Sequence, residues 1–178
     1  MATDSRRIDG STSERREQMI SLVEELSDPN GRRRRAARLA LVKMGSSAVP
    51  LLVDALKSRR RPLRWEAAKA LGQIGDATTV DALLLSMLDE DPEIRWLAAE
   101  GLASIGPPAV VPLLRMLMAH ANRTVLRMGA HFVLRKIASR DGDGALQPVL
   151  QALEGVEPSV EVPIAAEETL IALMQEPE

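Results

Sequence analysis

The sequence predicts an all-α fold, an α-solenoid of helical hairpins stacked side by side, and three observations predict it. A stretch occurs twice almost unchanged: Arg64-Trp65-Glu66-Ala67-Ala68-Lys69-Ala70-Leu71-Gly72-Gln73-Ile74-Gly75 and, 31 residues later, Arg95-Trp96-Leu97-Ala98-Ala99-Glu100-Gly101-Leu102-Ala103-Ser104-Ile105-Gly106. The same frame reads upstream as Arg34, Ala37, Leu41, Met44, Gly45 and downstream as Arg127, Ala130, Leu134, Ile137, Ala138. Inside each copy the apolar residues fall at i, i+3, i+4, i+7, the spacing of one helical face. A period of this length marks a repeat array, in which each unit hides its apolar side against its neighbours.

Residues 1–12 are polar, contain Gly10, Ser11 and Thr12, and are expected as a disordered lead. Ser13 is expected as an N-cap, with Glu14 and Glu17 in the first turn where the helix dipole favours acids. Ile20, Val23 and Leu26, with Met19 and Leu22, make residues 13–27 a capping helix that ends before Asp28-Pro29. Full units follow at 28–58, 59–90, 91–121 and 122–155, with a partial repeat at 156–174 and a tail at 175–178, about four and a half repeats in one domain.

In the first helix of each unit, helix A, Ala67, Ala68, Leu71 and Ile74 form the apolar face and Gly75 is a C-terminal stop; Leu102, Ile105 and Gly106 repeat that ending. Two helices approach closely only where side chains are small, so Ala67/Ala68 and Ala98/Ala99 are expected where repeats stack. A large residue there overpacks, at about 1–3 kcal/mol. Helix B opens with Val49-Pro50, Val80-Asp81, Val111-Pro112 and Gln147-Pro148, the prolines occupying a first turn whose N–H groups are unpaired anyway. Unit four carries an insertion, Ser139 to Gly144, between its helices. Beyond it, Val156 to Val162 reads as a Pro-containing loop, and Ala165-Ala166, Leu170 and Leu173 as one more A-type helix in which Pro163 replaces the anchoring arginine.

Apolar residues make up 46% of the chain, enough for a core, but there is no Tyr, one Phe and two Trp, so small and aliphatic side chains do the packing. The absence of Cys removes disulfides, thiolate zinc sites and cysteine nucleophiles together. No apolar run approaches the roughly 20 residues of a membrane span, and Met1 to Thr12 lacks a signal-peptide core, so no membrane is expected and cytoplasmic is the default. Residues 1–75 hold 16 Lys/Arg against 9 Asp/Glu, and residues 76–178 hold 7 against 16, so the stacked repeats are electrically polar along their axis.

These residues resemble the HEAT family, and specifically its short HEAT-like repeats of phycobilisome-lyase type. The pattern runs Asp-x-(Asp)-x-x-Val-Arg-x-x-Ala-Ala-x-Ala-Leu-Gly-x-Ile-Gly, then Val-Pro-x-Leu-x-x-x-Leu. Asp89-Glu90-Asp91-Pro92-Glu93-Ile94-Arg95 followed by Ala98-Ala99 matches it best, and the resemblance covers about residues 14–174. It implies a right-handed solenoid whose B helices line the concave surface. It also implies that Arg34, Arg64, Arg95 and Arg127 are structural, forming a ladder between repeats with Asp28 and Asp89 as partners. The matching positions are those that build the repeat, so they speak to fold and not to function.

The residues show no active site. His120 and His131 stand apart with no HExxH, so no metal is expected. Ser139, Asp141, Asp143 and Gly144 match the start of a calcium loop, but Leu150 stands where a bidentate Glu is required. No phosphate-cradling glycine loop is present, and no cofactor is expected. Acid pairs such as Glu167/Glu168 read as solvated surface.

What remains points to binding. Arg32-Arg33-Arg34-Arg35 with Arg38, and Arg59-Arg60-Arg61 with Arg64, lie at equivalent places and would join into a basic edge. Its expected counterpart is an acidic protein surface, one candidate being the acidic half of a second copy, head to tail; nucleic-acid phosphates are the alternative. Trp65 and Trp96, with Arg35 and Met128 in the flanking units, form either a packed ridge or an exposed hot spot. The B helices of units two and three carry more apolar residues than one buried stripe uses, so Leu85 and Met116 are either adaptable exposed contacts or extra core. The expected role is a non-catalytic scaffold or adaptor gripping a protein partner on the concave B-helix face and the Arg-rich edge, through Arg59, Arg60, Arg61, Arg35, Leu85 and Met116, the partner offering an acidic or apolar segment. The family resemblance adds an alternative, an accessory subunit of a bilin chromophore lyase, although the chain is poor in the Tyr and His expected around a tetrapyrrole.

Overall fold

A computed structural model describes residues 5–141 and 144–175. Among them every regular element is a helix. The order is α1 (Ser5–Glu25), α2 (Gly31–Met44), α3 (Val49–Ala55), α4 (Arg61–Ile74), α5 (Val80–Ser86), α6 (Pro92–Ile105), α7 (Val110–His120), α8 (Thr124–Asp141), α9 (Gln147–Glu154) and α10 (Pro158–Gln175). Short 3-10 turns precede α3, α5, α7 and α9. The A helices α2, α4, α6 and α8 pack consecutively in one row, and the B helices α3, α5 and α7 each pack on the A helix that follows them.

The row is held at small residues. Ala67, Ala68 and Ala98 have no solvent exposure, and Ala99 almost none. A close approach lies where Gly72 of α4 meets Gly101 of α6: a Cβ on either glycine would stand 3.0 Å from the other's Cα. Leu41, Leu52, Leu71, Leu83, Leu102, Leu113 and Leu134, drawn from both helices of successive units, fill one continuous core behind the row. The stops fall as expected: Gly45, Gly75 and Gly106 end α2, α4 and α6 with φ of 60°, 69° and 84°, a region closed to most side chains. In unit four Ala138 takes that place, and α8 runs on to Asp141. The expected insertion therefore begins as helix, and its Gly142 and Asp143 lie outside the described residues.

Four expectations at the ends of the array are corrected. Residues 5–12, expected as a disordered lead, are helical, and Ser13, expected as an N-cap, lies inside α1 with its hydroxyl on Glu17 Oε1 at 3.3 Å. Once the apolar part of α1 is nucleated, propagation through Gly10, Ser11 and Thr12 costs under about 1 kcal/mol per residue, too little to stop it. Residues 1–4 of that lead, and 176–178 of the tail, lie outside the described residues.

The Val156–Val162 loop is shorter than expected, because α10 starts at Pro158 and passes through Pro163. Burial of Val162, Ala165 and Ala166 offsets the hydrogen bond that Pro163 cannot donate. Finally, α10 is not a fifth member of the A row. It packs on α7 and α9, on the B side of the array. This covers α7 from a second direction: Val110, Leu113, Leu114 and Leu117 are buried, and Met116 and Met118 are half-buried against the core.

The stretch Gly31–Ala55 has the length and hydropathy of a membrane span, but it is divided into α2, a 3-10 turn and α3. Leu41 and Leu52 within it are fully buried in the protein core.

Candidate protein-binding site

The anchoring arginines share one geometry. Each sits in the first turns of its A helix and turns Nη1 back onto carbonyls of the turn that leads into that helix. Arg34 reaches Asp28 O at 2.9 Å and Pro29 O at 3.2 Å. Arg64 reaches Ser58 O at 3.0 Å and Arg59 O at 3.3 Å. Arg95 reaches Asp89 O at 2.8 Å and Glu90 O at 3.1 Å, and Arg127 takes Ala121 O. A guanidinium there satisfies backbone carbonyls of the connecting turn and holds that turn against the start of the next helix.

The carboxylate rungs vary between repeats. Arg64 grips Asp89, at the end of its own unit, with two bonds, Nε at 2.8 Å and Nη2 at 3.1 Å, and Glu90 at 2.9 Å. The bond to Asp89 raises the Arg64 pKa above its ordinary value despite partial burial. Asp28 offers Arg34 only its carbonyl; its carboxylate instead receives the Asn30 N–H at 2.7 Å and Arg33 at 3.4 Å. The acid facing Arg34 is Glu66 at 3.4 Å, which is buried and also holds the buried Arg38 at 2.9 Å.

The basic edge is largely spent inside the chain. Arg61 pairs with Asp91 and, at 3.1 Å, with Glu93 of the next repeat. The Arg61 bond holds the Asp91 carboxyl below the ordinary carboxylate range. Arg60 bonds Ser27 Oγ at 2.8 Å. Arg59 and Arg35 are exposed, without an ion pair among the described residues.

The two tryptophans differ. Trp65 is half-buried, donates to Glu93 Oε2 at 2.9 Å and lies under Lys69 Nζ at 4.8 Å from the ring centre. Trp96 is 50% exposed and leans on Phe132, with ring centres 4.4 Å apart and planes tilted by 47°. Beside it Val125 and Met128 are 41% and 69% exposed. Together with Met87, Pro92, Arg95, Ala99 and Gly129 they enclose a mainly apolar cavity of about 220 Å³ between α6 and α8. A second, shallower hollow between Trp65 and Trp96, sharing Pro92, adjoins it.

The cavity has a cause in the repeat frame. The position two residues after the anchoring arginine is Glu66, Leu97 and Gly129 in successive units, and it faces the unit before. Leu97 packs there in a cluster with Ala68 and Trp65, filling the gap between α6 and α4. Gly129 leaves the corresponding gap between α8 and α6 to the Met87 side chain, whose Cε would lie 2.5 Å from a Cβ at that glycine. A break in an otherwise filled repeat column was the available signal, and reading the columns for similarity alone passes over it.

On the B side Leu85 is 69% exposed beside a hollow of about 380 Å³ lined by Val53, Leu56, Ala82 and Asp89. Met116, its expected companion, is half-buried as described above. His131 Nε2 lies 2.8 Å from Glu154 Oε1, and His120 is exposed. No group of acids and histidines among the described residues is arranged to hold a metal ion. Asp143 of the calcium-like pattern lies outside the described residues.

The model of the family described as HEAT repeats matches residues 20–89 and 79–135, more than half of the chain. The chain belongs to the HEAT-repeat family. No curated protein sequence matches this HEAT-repeat chain. Among solved structures it is similar to the complex of CpcE and CpcF of phycocyanin lyase from Nostoc sp. PCC7120, at 21% identity and a TM-score of 0.59. The likeness covers 87% of this chain and 97% of that one, and at this identity it speaks to the fold alone.

The Glu66 network yields a sharp expectation. Glu66→Ala leaves Arg38 buried without its carboxylate and is expected to cost about 3–5 kcal/mol in urea denaturation. Arg38→Met added to it is expected to recover part of that loss, because no charge is then stranded.

Proposed function

We propose that this HEAT-repeat chain is a non-catalytic scaffold that holds a protein partner in the groove along the outer face of its A row. One observation supports this most: Trp96, Val125 and Met128 stand exposed around an apolar cavity that the repeat frame leaves unfilled at Gly129. An aromatic and a methionine beside a desolvated pocket are the composition of a binding hot spot. The cavity accepts one aliphatic or aromatic side chain of a partner segment, and its lining brings no acid, base and nucleophile together. Arg59 and Arg35 steer an acidic stretch of the same partner, and Leu85 offers a further apolar contact on the B side. Phosphate binding remains the alternative use of the arginines. It is weakened by the commitment of Arg61 to Asp91 and Glu93.

A second reading draws on the likeness to the CpcE and CpcF complex, a pair of lyase subunits. On that reading the partner is another helical-repeat subunit, and this chain is an accessory to bilin attachment.

Affinity purification with wild type and with Trp96→Ala/Met128→Glu tests the first reading. The variant substitutes exposed or half-exposed positions and is expected to keep its helical signal while losing at least about tenfold of partner recovery. Equal recovery would remove the groove from the account. For the second reading, a bilin is added to the chain alone and its absorbance recorded. The scaffold reading expects the spectrum of the free pigment, and a shifted, saturable spectrum supports the lyase accessory.

A further inference from the structure

We infer that a second copy of this chain docks end to end, the outward face of α10 in one copy seating on the open side of α2 in the next. The surface at the C-terminal end is explicit. Val162, Ala165, Ala166 and Thr169 are the buried side of α10, and the opposite side carries Val160, Ile164 and Ile171, 57%, 55% and 49% exposed. Met174 continues the strip at 74% exposure. Glu161 and Glu168, both exposed, flank it, and the exposed Glu167 falls within it between Ile164 and Ile171. The outward face of α10 is thus an aliphatic strip accompanied by acids.

The complementary surface lies at the other end. Every inner A helix has a neighbour in the row on both sides, whereas α2 has only α4. Arg34 and Arg38 point toward α4, where Glu66 holds them. The side of α2 turned away from α4 carries Arg32, Ala36, Leu39 and Lys43 at i, i+4, i+7 and i+11, all exposed, with Arg35 beside them. Leu39 is 41% exposed there. An aliphatic residue bordered by cations thus faces, in the next copy, an aliphatic strip bordered by carboxylates.

The charges select the occupant. Two α10 faces meeting each other would bring Glu161, Glu167 and Glu168 against their own copies, and two α2 faces would do the same with cations. Only the unlike ends attract, which makes the contact heterologous and the assembly open-ended. This surface is separate from the Trp96 groove and shares with the proposed partner only the steering residue Arg35.

Sedimentation velocity on the full chain tests the inference with two variants made at exposed positions. A tail variant carries Ile164→Asp and Ile171→Asp, and a head variant carries Arg32→Glu, Arg35→Glu and Leu39→Asp. Wild type is expected to grow beyond dimer with concentration up to ~100 µM, in the range of a weak interface, and to dissociate as salt is raised, since the rim charges are exposed. Each variant alone is expected to be monomeric with the circular dichroism of wild type. An equimolar mixture is expected to form a dimer and no larger species, because only one good head and one good tail remain. A monomeric wild type, an association that the head variant retains, or a mixture that stays monomeric would each overturn it.

Discussion

The structure depends on one steric constraint: α4 and α6 approach at Gly72 and Gly101 so closely that no side chain fits between them there, and alanines line the seam beside that point. At Gly72 and Gly101 even a methyl group brings a Cβ to 3.0 Å from the facing backbone. Contact at this range gives dispersion along the full length of each helix and fixes the rotation of one unit on the next. That rotation decides which side chains meet. It carries Arg64 onto Asp89, Trp65 onto Glu93 and Glu66 back onto Arg34 and Arg38. The polar rungs follow from the packing, and the identity of each rung changes with the residues a given pair of repeats supplies.

The same constraint explains the groove. A tight seam has no room for adjustment, so the omission of one side chain, at Gly129, is not closed by the helices moving together; Met87 fills the floor and the mouth stays open beside Trp96. The candidate site is therefore a local exception to the rule that builds the rest of the array. At the C-terminal end the exception is larger, because α10 leaves the A row and covers α7 from the B side. That relocation leaves an apolar strip facing outward.

Much of the fold was legible because its signals are local. Gly75 and Gly106 mark helix ends through backbone conformation, Val49-Pro50 and Gln147-Pro148 mark helix starts, and the arginine register marks the repeat. Ala138 in the place of a stop glycine could have been read as an extension of α8. The site was less legible because it depends on relations between elements. Arg61 reads as a free cation until the next unit's Asp91 and Glu93 are seen beside it. Glu66, a charged residue in a helix, reads as solvated until two arginines from the preceding helix enclose it. An amphipathic pattern says that α10 has an apolar face, and α10 turns out to have two, one buried and one open, with no local signal for the row it joins.

A double-mutant cycle on Gly72→Ala and Gly101→Ala, followed by urea denaturation, measures the close seam most directly. In a helix free of neighbours each change to alanine stabilises by about 0.8–1 kcal/mol. The account predicts the opposite sign for each single variant and a double variant that departs from the sum of the two, since the added methyl groups compete for one gap. Two additive gains of stability would show that the helices are not in contact at these glycines, and would contradict the packing on which the ion-pair rungs and the groove at Gly129 both rest.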